Sequence, residues 1–190
     1  MAAFTPPPAD AVRARLLTAG RAEFAAVGLA ASRVERIAAA ASSNKAQVFH
    51  YFGSKEGLFD AVVAQSVAET LADVPLEAED LPGYAGRLHD SFVRRPEALR
   101  LATWYRLERQ EHSPIEAVLA GNRRAVEAVE HAQRAGLVAR RHRPAVLLGL
   151  VLGIAALWST LPPGFEPLVG AVTPARRRQV VVDAVAALVS

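Results

Sequence analysis

Between Asn44 and Lys55 the chain arranges Lys45, Ala46, Gln47, Phe49, His50 and Tyr51 around two apolar positions, Val48 and Phe52, which lie four residues apart. At helical spacing Val48 and Phe52 turn inward together, leaving the ammonium, amide, imidazole and aromatic groups outward or sideways. Such a mixture can hold phosphates and meet base edges. The same pattern also fits a short polar–aromatic surface helix that binds nothing, and periodicity alone does not separate the two.

The flanking residues say how that segment is held. Asp10 can cap a first helix running to Val27, with Leu16, Leu17, Phe24 and Val27 at helical spacing and Gly28 as its stop. Ser32-Arg33-Val34-Glu35 reads as a capping box, the Ser oxygen taking a backbone N–H and the Glu reaching back, and it opens a short second helix through Ala41. After the polar break Ser42-Ser43-Asn44, either Ser43 or Asn44 can cap a third helix, 45–52. Gly53-Ser54 ends that helix and caps a fourth, 55–73. Two short helices joined by a tight polar turn on a longer first helix make a helix-turn-helix, whose second member can enter a major groove.

The expected organisation is a disordered arm at 1–9, with three prolines in a row, a helix-turn-helix domain at 10–53, and a larger helical domain at 54–190. Past the proline-bounded linker Pro75–Pro82, helices are expected near 83–94, 96–110, 114–135, 144–159 and 174–189, each break marked by proline. No segment alternates as a strand would. The fold class is all-α, with about nine helices.

Composition narrows the class. Hydrophobic residues make up 52% of the 190 and charged residues 22%, as in a folded globular protein. Cysteine is absent, which removes disulfides, thiolate metal sites and cysteine catalysis. No His/Asp/Glu spacing suggests a metal, and no Gly-rich phosphate loop, nucleophile elbow or paired carboxylates suggest an enzyme or a cofactor. Met1 to Pro8 lack the basic and apolar regions of a secretory signal. The longest apolar run, Ala145–Trp158, is 14 residues, short of the roughly 17–25 that span a bilayer, so a cytoplasmic protein with no membrane partner is expected. Residues 1–55 hold seven Lys or Arg against three acids, so the net charge of +3 is concentrated where a polyanion would be met.

The chain resembles the TetR-type repressors. The resemblance runs through Leu16-Leu17, Phe24, Gly28, Ser32-Arg33-Val34 and Ile37-Ala38-Ala39-Ala40-Ala41, and above all through Val48-Phe49-His50-Tyr51-Phe52-Gly53-Ser54-Lys55-Glu56-Gly57-Leu58. A looser similarity extends over Arg100–Glu108. It implies a DNA-binding transcriptional regulator, a homodimeric repressor that grips a palindromic operator in double-stranded DNA. It further implies dimerisation through the C-terminal helices and release when a small-molecule effector binds the C-terminal body. Carried over by position, Lys45, Ala46 and Phe49 read bases, while Arg33, Gln47, His50, Tyr51 and Lys55 hold phosphate. Asn44 completes the DNA-binding set. Three departures stand out. The family's turn glycine is Ser42, the apolar residue after it is Ser43, and the tyrosine opening the aromatic run is Phe49. A residue other than glycine must then take the turn's backbone angles.

In the body, Leu101, Trp104, Tyr105 and Glu108 share one helix face, where the carboxylate could anchor a cationic or hydroxylated ligand or pair internally with an Arg. Asn122 interrupts a heptad-like stripe of Ile115, Val118, Val126, Val129 and Gln133, so a buried polar partner, a water or a ligand is expected there. His89, Phe92, His112 and Trp158 complete the ligand candidates, although single histidines also serve structure alone. Gly149 and Gly153 would let a helix approach closely, within the subunit or across a dimer. Arg176, Arg177 and Arg178 read as a solvated rim.

Overall fold

The computed structural model describes residues 9–109 and 114–190. Residues 1–8 of the expected arm, and His112, lie outside the described residues. Among those described there are ten α-helices and no strand: α1 (Ala9–Ala31), α2 (Val34–Ala40), α3 (Lys45–Phe52), α4 (Lys55–Asp73), α5 (Leu81–Arg94), α6 (Pro96–Glu108), α7 (Glu116–Arg134), α8 (Pro144–Ala155), α9 (Glu166–Val169) and α10 (Pro174–Val189). The four-residue α9 was not anticipated. The long run after Pro144 stops as an α-helix at Ala155 and continues as a 3₁₀ turn at Leu157–Ser159.

The chain divides into two compact units, one holding residues up to Val67 with Arg100–Ile115, the other Ala68–Leu99 with Glu116–Ser190. The first unit takes in more than residues 10–53, because the start of α4 and the end of α6 share its core. Leu16, Phe24, Ile37, Val48, Leu58, Phe59 and Leu101 are buried together. Phe24 and Phe59 meet edge to face with ring centroids 5.1 Å apart.

Gly28 breaks α1 with φ 75° and ψ −177°, angles closed to side chains other than glycine's hydrogen. A Cβ there would also lie 2.7 Å from the Trp104 ring. Past the break the Leu29 and Ala30 N–H groups donate to the Glu108 carboxylate, at 2.5 and 3.3 Å. The carbonyls of the same turn accept from Lys55, whose Nζ lies 2.7 Å from Leu29 O, 3.3 Å from Ala30 O and 3.2 Å from Ser32 O. One short turn is thus clamped by an anion on its donors and a cation on its acceptors, the pairing that exposed helix ends favour.

The second unit buries Leu81, Leu88, Val129, Leu147, Val151, Val181 and Val185. On α7 the expected stripe holds at Val129 and Gln133, which are buried, and departs at Asn122, which is exposed while its neighbour Gly121 is buried. A Cβ on Gly121 would lie 3.3 Å from Leu71, so the small residue faces the crowded side and the amide turns to solvent. Gln133, buried on α7, donates to the carbonyls of Ala139 and His142 at 2.9 and 3.0 Å.

Candidate nucleic-acid interface

The turn that presents α3 is built from backbone angles first. Ser42 has φ 49°, the one non-glycine positive φ among the described residues. Its N–H donates to Ala39 O and the Ser43 N–H to Ala38 O, the paired bonds of a Schellman close to α2. Serine therefore takes the left-handed position expected to fall to a residue other than glycine. Arg15 reinforces this corner, its Nε donating to Ala41 O at 2.9 Å. Asn44 then caps α3, its side chain accepting the Gln47 N–H at 3.0 Å. Gly53, with φ 75°, closes the other end. Of the two caps allowed by sequence, the asparagine is the one used.

Val48 is fully buried under α3. Opposite it Asn44, Lys45, Ala46, Phe49 and His50 are exposed, and Gln47 and Tyr51 are half-buried. Tyr51 leans on the core beside Phe52 and meets His50 edge to face at 5.0 Å, so it is less outward than a free phosphate ligand would be. Phe49 keeps 42% of its surface exposed, an apolar patch beside the polar groups. Arg33 is exposed at the N-cap of α2.

Two expectations fail here. Ser32 does not cap α2: its Oγ donates back to Leu29 O at 2.6 Å, the N-cap is Arg33, whose own side chain makes no cap bond, and the Arg33 N–H donates instead to Glu23 at 3.2 Å. The Glu of the expected box, Glu35, instead accepts from the Lys45 Nζ at 2.7 Å across the turn. That bond, first among its causes, holds the Glu35 carboxyl below the ordinary glutamate range. Lys55 also departs from expectation. Its three ammonium protons face three backbone carbonyls, which leaves no donor spare for a phosphate.

The ligand candidates scatter. Leu101, Trp104, Tyr105 and Glu108 belong to the first unit, where Leu101 is core, Trp104 covers Gly28, and Tyr105 Oη accepts the Ile115 N–H at 3.3 Å. Glu108, half-buried, is taken up by the backbone N–H groups of Leu29 and Ala30. In the second unit His89 is buried with Nδ1 3.4 Å from Ala155 O, and Phe92 is half-buried. Trp158 donates its indole N–H to Arg177 O at 3.0 Å, beneath the Arg177 guanidinium at 5.2 Å. Arg178 pairs with Asp90, so the arginine run is more than a solvated rim. Sequence reading missed an open cavity of about 650 Å³ in this unit, lined by Glu77, Asp80, His131, Ala132 and Leu137 among others. Among the described residues no His, Cys, Asp or Glu cluster could hold a metal ion, and no helix is long and apolar enough to cross a membrane.

Comparison with known proteins agrees with this geometry. Residues 16–62 match the family model described as bacterial regulatory proteins, tetR family, and residues 80–186 match that of the tetracyclin repressor-like C-terminal domain. The HTH-type transcriptional repressor SCO4008 of Streptomyces coelicolor is 33% identical over 165 residues, 81% of each chain. The HTH-type transcriptional repressor NicS of Pseudomonas putida is 30% identical over 112 residues, covering 55% of this chain and 53% of its own. Among solved structures, SCO4942 of Streptomyces coelicolor superposes with a TM-score of 0.77 at 35% identity, covering 93% of this chain and 97% of its own.

Proposed function

The chain belongs to the TetR family of DNA-binding transcriptional regulators, and from that membership we propose that it is a cytoplasmic repressor acting as a homodimer on a palindromic operator. Residues 10–53 act as the reading head and the remainder as the regulatory body. The observation that carries the proposal is the outward face of α3, where Lys45, Ala46, Gln47, Phe49 and His50 stand over a buried Val48. Lys45 and Phe49 suit base edges, while Arg33, Gln47 and His50 suit phosphates flanking the groove. Lys55 is withdrawn from the phosphate set, and Tyr51 contributes less than a fully exposed tyrosine would.

The dimer is supported by α8. Val146 and Leu150 remain 52% and 40% exposed, and nothing lies within 4 Å of a Cβ placed on Gly149 or Gly153. Exposed apolar stripes of this kind mark protein contacts. Release by a small molecule is the family's usual mechanism, and the body is the proposed receptor, with His89 and Phe92 the remaining candidates. The protein works by binding, not turnover.

Selection of bound sites from random duplexes, with the purified protein's mass measured in solution, tests the reading. A two-fold symmetric sequence bound by a dimer is expected, and its complex should dissociate with one member of a metabolite panel. A strictly monomeric protein that enriches no duplex would overturn it.

A further inference from the structure

Glu35 is an unusual residue to find beside a groove-reading helix. Phosphates repel a carboxylate, yet this one stands exposed near the start of α2, 2.7 Å from the Lys45 ammonium at the first residue of α3. Both side chains are open to solvent, Lys45 at 56% and Glu35 at 64%. Lys45 in turn lies 5.8 Å from the centre of the Phe49 ring, so carboxylate, ammonium and apolar face form one contiguous patch on the outward side. A cation in the first turn of a helix is opposed by the helix dipole, and α3 has no acid of its own in that turn. The carboxylate that offsets it comes from the neighbouring helix, ten residues earlier.

Two consequences follow for a duplex. An ammonium already held by a carboxylate has less to gain from a phosphate, which every sequence offers equally. The pair must then find both an acceptor and a donor on the base edges, or Glu35 is left facing a polyanion with nothing to accept. The major-groove edge of a G·C pair supplies both, with guanine O6 and N7 for the ammonium and the cytosine N4 amine beside them for the carboxylate. An A·T pair places its amine between N7 and O4 and crowds the far side with the thymine methyl.

We propose that the Glu35–Lys45 ion pair is a specificity-determining unit that reads one G·C pair in each half-site and holds Lys45 back from non-specific phosphate contact. This rests on α3 lying in the major groove.

The test compares wild type, Glu35→Gln and Lys45→Met in site selection from random duplexes, with salt titrations on the selected and on unrelated DNA. Glu35 is exposed and makes no core contact, so Glu35→Gln should keep the wild-type melting curve. The expected result is a wild-type preference for G·C at one position per half-site, relaxed on the order of tenfold in both variants. For Glu35→Gln, binding to unrelated DNA should tighten, and its salt slope should steepen by about one unit per head as Lys45 gains a phosphate. A Glu35→Gln protein that selects the wild-type sequence with the wild-type slope overturns the ion-pair proposal alone. A wild type that enriches no duplex overturns the groove reading, and the pair with it.

Discussion

The Glu108 carboxylate accepts the Leu29 backbone N–H at 2.5 Å, joining the end of α6 to the broken end of α1 across 79 residues of sequence. A charged acceptor on two backbone donors is among the stronger hydrogen-bonding arrangements, each bond to a charged group being worth about 1.5–3 kcal/mol. Replacing Glu108 with Ala should therefore cost about 2 kcal/mol or more in denaturant unfolding, with Glu108→Gln in between. A substitution that lowered effector affinity while leaving stability untouched would return Glu108 to a binding role.

Gly28 answers to two constraints at once, its backbone angles and the Trp104 ring. Gly28→Ala should cost about 3 kcal/mol, strain at a glycine-only conformation adding to overpacking. Adding Trp104→Leu should recover the overpacking share and leave the backbone share. Full recovery in the double variant would show that backbone strain contributes nothing there.

Lys55→Ala is expected to reduce stability by about 1–2 kcal/mol, since the carbonyls of Leu29, Ala30 and Ser32 lose their cation. The slope of log affinity against log salt should stay as in wild type. A slope lowered by about one unit would mean that the ammonium leaves the carbonyls for a phosphate in the complex.

Ser42 carries the left-handed angle that glycine takes at no steric cost. Ser42→Gly should raise stability by about 0.5–1 kcal/mol, the relief of a left-handed side chain being partly offset by a freer unfolded chain. Thermal melts would register the gain, and a fall in midpoint would contradict it.

Asp73 accepts from Ser91 Oγ and is flanked by Arg94 and Arg95. The Ser91 bond, foremost, and the two guanidinium groups hold its carboxyl below the ordinary aspartate value. A depressed folded pKa gives stability that is complete above the unfolded value of about 3.9 and is lost as pH falls through the lower folded value. Asp73→Asn should therefore weaken the fold at neutral pH, and the gap from wild type should close in acid. A gap that widened below pH 4 would reverse the sign.

What could be read from sequence was local. The bounds of α3 and α4 were legible because Asn44, Gly53 and Ser54 act on their nearest neighbours. The role of Glu108 was not, since helical spacing groups it with Trp104 and Tyr105 without saying what that face meets 79 residues away. Asn122 was wrongly placed inside although Val129 and Gln133 of the same stripe are buried, because spacing alone does not say where along a helix its neighbours pack. Gly121, which meets Leu71 in its place, carries no side chain to register in the pattern. The Ser32–Glu35 box met the spacing rule and still failed: a stronger partner, Lys45, was in reach of the carboxylate and invisible to a four-residue window.

Lys45 and Lys55 are the chain's only lysines, and every other Lys-or-Arg position is arginine. Apart from the N-terminal amine, an acylating reagent can therefore touch only the first unit, and there it meets two unlike amines, one exposed and one seated on carbonyls. Acylation rates at the pair, read by peptide mass, form a built-in footprint. Operator DNA should slow modification at Lys45, whereas Lys55 should start slow and quicken only when the turn around Leu29 comes apart.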